Sequence, residues 1–444
     1  MTQPFPLGEL GPVRSIGIVG GGQLAWMLAR EARKLGVELH VQTPDPQDPA
    51  VREATSLVVG ALDDAEATRA LARVAERISF ENEWASLAAL EPLARDGIPF
   101  LPELHSLAPL VDKRGQRDLL GQLNLPTPHW AGLEACLQRE PDPIAELVES
   151  EAWDVDWPSE GSLHARPLSP LFPPAAPQAP RLPEGLTFPV VAKMTQGGYD
   201  GKGTRILPDL AALEALLASV TPEDWILEEL VRFEMELAQV VCRDLGGDVR
   251  CFPLVQTHQR DQVCEWVLSP APVAQDVQAY ARNVAMSLVT SLNYVGVMGI
   301  EFFFGPRGLM VNEVAPRVHN SGHLTLEACP TNQFAQQVRI VAGLPLGLTD
   351  ATVNGALMVN LLGTGSEESE EGRLDHLPQR QALEALPGAQ VHWYGKRPRR
   401  GRKLGHVTFV LQADGDQARV EEGQRRLEDV RAIWPWPESD PTER

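Results

Sequence analysis

Residues 15–19, Ser-Ile-Gly-Ile-Val, form a short apolar run that ends at Gly20, Gly21 and Gly22. Behind the glycines, Leu24, Met27, Leu28, Ala32 and Leu35 fall at helical spacing, and Gly36 suits a C-cap. Residues 37–42 read as the next strand. Strand, glycine turn, helix and strand in that order open a doubly wound α/β domain, which excludes an all-helical or all-β start. Gly20, Gly22 and Ala25 match G-x-G-x-x-A, a turn that lets an anion approach free N–H groups at a helix N-terminus. A dinucleotide is one reading, although Asp45 lies beyond Thr43-Pro44 rather than closing the second strand; a tight turn with no nucleotide is the other.

Ile78-Ser79-Phe80 and Gly97-Ile98-Pro99-Phe100 extend the alternation, and the first boundary is expected near residue 108. A helix is predicted around 112–123, ending before Pro126 and Pro128. Residues 140–186 then change character: seven prolines lie between Pro167 and Pro183, which reads as an inserted loop or linker without chemistry. Beyond it, Phe188–Lys193, Ile226–Leu230, Glu236–Arg243, Val249–Val255 and Gln262–Leu268 read as strands, the last four in one antiparallel sheet. Helices are expected over 274–291 and from Thr325 to Ala342, and strands over 296–304 and 309–314. A last region carries short strands at Ala356–Leu361, Val391–Tyr394 and His406–Val410 and a polar C-terminal helix. SEESEE (366–371) reads as solvated surface.

The chain has 39 basic and 60 acidic residues, a formal net charge of −21. That balance argues against a general nucleic-acid or membrane-surface binder. Its five cysteines show no CxxC pairing, so a reducing cytoplasm is expected, and the opening residues lack a signal-peptide pattern. No apolar run approaches the ~18–20 residues of a membrane helix.

Four constellations carry chemistry. Lys193 precedes Gly197-Gly198-Tyr199-Asp200-Gly201-Lys202-Gly203, whose four glycines make a flap able to wrap phosphate oxygens, with the lysine as a point charge. No Gly-Lys-Ser/Thr ends it, so it is not a Walker A loop, and a mobile hairpin tip is the alternative. Lys113 is a further candidate cation, or a surface lysine. Glu228-Glu229-Leu230-Val231 offers backbone groups that can read an adenine edge, and Glu236 can accept from ribose hydroxyls, although acidic residues on exposed strands are common.

Glu301 and Glu313 flank the turn Gly305-Pro306-Arg307-Gly308, so antiparallel pairing brings them opposite or one step apart. Like charges across strands repel unless a cation lies between them. Two carboxylates, the oxygen of Asn312 and a polyphosphate suit Mg²⁺; one side chain turned to solvent is the alternative. Next, Ala315-Pro316-Arg317-Val318-His319-Asn320-Ser321-Gly322-His323 can hold a small anion through Arg317 and an amide, with a histidine to move protons, or else form a capped turn. Finally, residues 396–403 pack six basic side chains into eight positions, which suits a phosphate on a small substrate, or a solvated loop.

Taken together, IGIVGGGQLAWML, ISFENEW, DKRGQRDLLGQLNLPTP, VVAKMTQGGYDGKG, EELVRFEMELAQVVCR, GVMGIEFFF, NEVAPRVHNSGH and HWYGKRPRRGRKLGHVT resemble the N5-carboxyaminoimidazole ribonucleotide synthetase family of ATP-grasp enzymes. They span about residues 16–410. The resemblance implies an α/β and α+β protein of three-domain ATP-grasp architecture. A Rossmann-like pre-ATP-grasp domain would cover 1–108. An ATP-grasp domain would cover 109–355, with a flap subdomain at about 110–230, and a small C-terminal domain 356–444. The implied reaction is ATP- and bicarbonate-dependent carboxylation of 5-aminoimidazole ribonucleotide, through carboxyphosphate, in purine biosynthesis.

By the same resemblance Lys113, Lys193, Gly198, Tyr199, Asp200, Gly201, Lys202, Gly203, Thr204, Glu228, Glu229, Leu230, Val231, Glu236, Asn312 and Glu313 would bind ATP. Glu301 and Glu313 would hold one or two Mg²⁺ ions. Arg317 and Asn320 would hold the carboxyphosphate, with His319 beside them. Gln23, Glu81, Tyr199 and Asp200 would face the ribonucleotide, and Lys396, Arg402 and Lys403 its 5′-phosphate. The chain departs from the family pattern at Thr204, where glutamine is usual, in ISFENEW, and at Thr257-His258-Gln259. Small-molecule substrates, a homodimer and a cytoplasmic location complete the expectation, with no nucleic acid or membrane partner. An ATP-grasp ligase of another carboxylate such as formate, a nicotinamide oxidoreductase and a catalytically dead homologue are the rivals.

Overall fold

The computed structural model describes residues 11–137, 179–198, 203–365 and 376–437. They form two compact units. The larger takes in the described residues through Pro128 and those from Val231 onward, and the smaller takes in those of His129–Gly198 and Gly203–Leu230.

The larger unit opens with the parallel sheet that the glycine turn announces. Its strands are β1 (Ser15–Val19), β2 (Glu38–Thr43), β3 (Ser56–Val59) and β4 (Arg77–Phe80), in the order β3-β2-β1-β4. All five residues of β1 are buried, as parallel strands covered on both faces require. The helix Gln23–Lys34 buries Leu24, Met27, Leu28 and Ala32, and Gly36 follows at φ +70°, which suits glycine. Residues 97–100 contribute one parallel bridge, Ile78 to Phe100, rather than the full strand expected there, because Pro99 lacks a ladder donor.

The smaller unit is a four-stranded antiparallel sheet. β5 (Trp130–Gly132), β6 (Val190–Met194), β7 (Thr204–Leu207) and β8 (Trp225–Glu229) take the order β5-β8-β6-β7. Its own core gathers Val190, Ala192, Leu207, Leu213, Leu216 and Leu227.

The larger unit resumes with a nine-stranded sheet. β9 (Met235–Arg243) is central, with the short β10 (Val249–Cys251) on it; β11 (Val255–Arg260) and β12 (Val263–Ser269) form a hairpin. β13 (Gly296–Gly305) and β14 (Gly308–Ala315) make the opposite edge. β15 (Gly355–Leu362), β16 (Ala389–Trp393) and β17 (Lys403–Leu411) continue the sheet, because β15 pairs with β12. The sheet therefore runs on past residue 355.

Three expectations are corrected. Residues 226–230 do not share a sheet with 236–243, since alternation along a strand says which face is buried but not which partner it finds. Val249–Val255 is not one strand: Phe252-Pro253-Leu254 interrupts it, and β11 extends to Arg260. The helix expected from Thr325 to Ala342 is two helices, Thr325–Ala328 and Gln333–Ala342, because Pro330 disfavours helical geometry at the residue before it. The second of these is capped by Asn332, whose Oδ1 accepts from the N–H of Ala335 at 2.9 Å, and it stops at Gly343 in the left-handed conformation. Most of the proline-rich insert and SEESEE lie outside the described residues. Among the described residues, no helix is long and apolar enough to cross a membrane.

Candidate functional site

The glycine turn is the first place where the structure decides between readings. Glu81 follows β4, and its carboxylate accepts from the backbone N–H of Gly22 at 2.7 Å, Leu24 at 3.1 Å and Ala25 at 3.4 Å. The helix Gln23–Lys34 has no side-chain N-cap of its own, so this distant carboxylate satisfies its free donors and meets the positive end of its dipole. A side chain on Gly22 would fall 2.5 Å from Glu81 Oε1. The anion position that G-x-G-x-x-A announces is thus filled by the protein itself, and the dinucleotide reading of that turn is overturned. Burial pushes the Glu81 carboxyl up from its ordinary pKa, against the pull of these N–H groups and of Lys396. Gln23 Oε1 accepts from Lys396, which also lies over the Tyr394 ring at 5.8 Å. Gln23, Glu81 and Lys396 therefore come together from three distant parts of the sequence. Arg402 donates to the carbonyl of Arg397 at 3.2 Å, and Gly363 pairs with the same basic loop through Arg402 O and Gly401 N, both at 2.9 Å.

Glu301 on β13 and Glu313 on β14 are direct cross-strand partners, with the register slipping by one residue just after Glu301. Lys113 Nζ lies 3.1 Å from Glu313, Asn312 donates to Glu301 at 3.5 Å, and His319 Nε2 is 3.3 Å from the other Glu301 oxygen. The imidazole can lie on β13 because residue 299 is glycine: a Cβ there would come within 2.5 Å of His319 Cβ. Glu236 on β9 is near enough that burial, reinforced by the Glu301 charge, raises its carboxyl to about 7 despite a hydrogen bond from the N–H of Gln259 at 3.3 Å. β14 is held in place by Gln116, whose amide donates to the carbonyls of Leu110 and Val314 and accepts from the N–H of Val314. Arg117 adds a 2.6 Å bond to Asn312 O.

The donor set fits a hard dication. Among the described residues there is no cluster of three or more His, Cys, Asp or Glu side chains able to hold a metal. An ion at Glu301 and Glu313 would thus complete its shell with water and phosphate oxygens, which is the habit of Mg²⁺.

After β14, Arg317 meets Glu83 through Nε at 2.6 Å and Nη2 at 3.4 Å. Burial lowers the Arg317 pKa, but the Glu83 carboxylate more than reverses this, and the net shift is upward. Asn320 and Asn360 of β15 form a reciprocal amide pair at 3.0 and 2.8 Å, and Asn360 also donates to Cys264 O at 2.9 Å. His319 Nδ1 lies 2.8 Å from Ser321 Oγ.

In the smaller unit, Lys193 at the end of β6 lies 2.7 Å from Oε2 of Glu228, which is 2% exposed. Glu229 Oε1 accepts from the N–H of His129 at 2.9 Å. β6 and β7 pair on either side of the glycine-rich segment: Lys193 pairs with Thr204, and the N–H of Met194 donates to Gly203 O at 2.8 Å. Gly198 and Gly203 are its described glycine ends; Tyr199, Asp200, Gly201 and Lys202 lie outside the described residues. Leu230 ends this unit, and Val231 opens the next stretch of the larger one.

Sequence reasoning did not find Asn360, Gln116 or the Glu83–Arg317 pair. His258 stacks on Trp266 at 5.2 Å and lies 3.8 Å from Glu265, so it belongs to the β11–β12 hairpin.

A lysine on a strand of a small antiparallel sheet, just before a glycine-rich segment, and a carboxylate pair on a β-hairpin edge define the ATP-grasp class. The ATP-grasp domain family model matches residues 175–334, the ribonucleotide synthetase preATP-grasp domain matches 13–109, and the phosphoribosylaminoimidazole carboxylase C-terminal domain matches 356–420. N5-carboxyaminoimidazole ribonucleotide synthase from Synechococcus elongatus is 44% identical over 429 residues, covering 96% of this chain and 97% of that protein. The crystal structure of the synthetase from Thermus thermophilus is similar with a TM-score of 0.73 and 28% identity, over 96% and 99% of the two chains. The synthase from Aspergillus clavatus, in complex with ADP and 5-aminoimidazole ribonucleotide, is similar with a TM-score of 0.74 and 25% identity, over 94% and 98%. The chain belongs to the N5-carboxyaminoimidazole ribonucleotide synthase family.

Proposed function

We propose that the chain is an ATP-dependent ligase that carboxylates the amine of 5-aminoimidazole ribonucleotide, with release of ADP and phosphate, in purine biosynthesis. The observation that carries the chemistry is the direct pairing of Glu301 with Glu313 across one hairpin, with Lys113, Asn312 and His319 against it. Mg²⁺, when bound there, neutralises polyphosphate charge. Lys193, Glu228–Val231, Glu236, the described loop ends Gly198, Gly203 and Thr204, and Lys113 hold ATP, with Lys193 Nζ 2.7 Å from buried Glu228.

A bicarbonate oxygen attacks the γ-phosphorus and expels ADP, giving carboxyphosphate, which Arg317 and Asn320 hold. Glu83 and Asn360 keep the Arg317 guanidinium and the Asn320 amide from swinging, so little reorganisation is left to the reaction itself. The substrate amine then attacks the carboxyl carbon, phosphate leaves, and the proton from nitrogen passes to a nearby base such as His319. Gln23 and Glu81 face the ring and ribose, while Lys396, Arg402 and Lys403 take the 5′-phosphate; Tyr199 and Asp200, given to the same substrate by the family resemblance, lie outside the described residues. The division at residues 108 and 355, a homodimer and a cytoplasmic location belong to the same proposal.

The test is ADP release by the full chain with Mg²⁺-ATP, omitting bicarbonate or 5-aminoimidazole ribonucleotide in turn. Release that needs both supports the reading. Equal release with formate in place of bicarbonate sinks it.

A further inference from the structure

The loop bearing Arg317, His319 and Asn320 has little regular structure of its own, and its backbone is held from outside by Gln333. This residue begins the helix Gln333–Ala342 and is fully buried. Its Oε1 accepts from the N–H of His319 at 2.9 Å, and its Nε2 donates to the carbonyl of His319 at 2.7 Å. A backbone N–H can only donate and a carbonyl can only accept, so these two bonds settle which end of the amide is oxygen. The second hydrogen of the same Nε2 faces Nδ1 of His323 at 3.1 Å. A ring nitrogen that accepts from an NH₂ group presents a lone pair, so this geometry assigns the His323 proton to Nε2, which is buried with no hydrogen-bond partner among the described residues. Burial, helped by the positive charge of Lys403, holds its pKa well below the usual value. A further bond runs from the N–H of Gln333 to Thr325 Oγ1 at 3.1 Å, and that hydroxyl donates to Gly322 O at 2.6 Å. A side chain on Gly322 would strike the Gln333 amide at 2.6 Å, so glycine is what lets the loop close onto it.

We propose that Gln333 and His323 are positioning residues for the reaction: Gln333 clamps both backbone groups of His319, and His323 holds the clamp by accepting its second N–H, which keeps the His319 imidazole on Glu301. Neither residue touches the reacting atoms. The proposal rests on the roles given to His319 and Glu301 above.

Two experiments test it. The first compares His323→Asn, whose Oδ1 can stand where Nδ1 stands, with His323→Leu, which cannot accept. The expected result is kcat within about threefold of the parent for the asparagine variant and at least tenfold lower for leucine, with KM for ATP unchanged in both. Equal losses in the two variants, or no loss in either, would overturn it. The second is the nitrogen-15 histidine spectrum of the unsubstituted chain, which depends on neither activity nor the folding of a variant. Nδ1 of His323 unprotonated and Nε2 protonated supports the clamp, and the opposite tautomer overturns it. If the parent shows no bicarbonate-dependent ADP release, the functional reading fails while the spectrum still decides the clamp.

Discussion

Replacing Glu236 by glutamine should remove most of a pH-dependent loss of stability. Burial, with the Glu301 charge as the second cause, raises the Glu236 carboxyl from 4.5 to about 7. The folded chain therefore holds this proton more tightly than the unfolded chain does. The contribution of this group to stability is complete below pH 4.5, falls as pH rises toward 7, and is flat above it. Between pH 5 and pH 8 a shift of that size amounts to a loss of about 2–3 kcal/mol, at ~1.4 kcal/mol per unit. The glutamine keeps an acceptor for the Gln259 N–H and has nothing to ionise. Chemical unfolding in the absence of nucleotide and Mg²⁺, at both pH values, measures the difference. The parent should lose about 2–3 kcal/mol more than Glu236→Gln over that interval, and Glu301→Gln should lie between them because it removes only the second cause. Parallel pH dependence of parent and Glu236→Gln would show that Glu236 does not hold a proton near neutral pH in the folded chain.

Further expectations follow from the same geometry. Glu313→Gln should lower kcat for ADP release by at least about 100-fold, read at saturating ATP over a range of Mg²⁺, since it removes one carboxylate of the proposed metal pair. Glu83→Gln leaves the Arg317 guanidinium without its bidentate partner and should cost about 2–4 kcal/mol in thermal unfolding, with a raised KM for bicarbonate. Asn360→Leu breaks the Asn320 amide pair and should lower kcat about tenfold while leaving nucleotide affinity, read by ADP titration, unchanged. Arg431→Ala removes the two bonds of 2.7 and 2.8 Å to Glu265, leaving that buried carboxylate Arg260 and His258 at 3.8 Å, and should destabilise the chain by about 1–2 kcal/mol without changing KM for ATP.

What could be read in advance was what local pattern controls. The turn at 305–308 sets the register of β13 and β14, and that register alone brings Glu301 opposite Glu313. β1, its glycine turn and the following helix are likewise local, as is the lysine that precedes the glycine-rich hairpin. Partners distant in sequence were not legible. Glu81 caps a helix that begins 58 residues earlier, and nothing in G-x-G-x-x-A says whether its anion comes from a ligand or from the chain. Gln333, Gln336 and Gln337 are polar, yet all three are buried because each amide finds a backbone or hydroxyl partner elsewhere. The break at Cys329-Pro330 was in plain view, and helical periodicity on either side concealed it. The assignment of β8 and β9 to different sheets depends on long-range pairing that alternation does not encode.

In the proposed reaction bicarbonate attacks the γ-phosphate of ATP before the ribonucleotide amine reacts. Turnover with bicarbonate labelled in all its oxygens with oxygen-18, followed by mass analysis of the phosphate released, tests this most directly. One labelled oxygen is expected in each phosphate, carried over as the bridging oxygen of carboxyphosphate. Phosphate free of label, formed at the same rate as the carboxylated ribonucleotide, would contradict it.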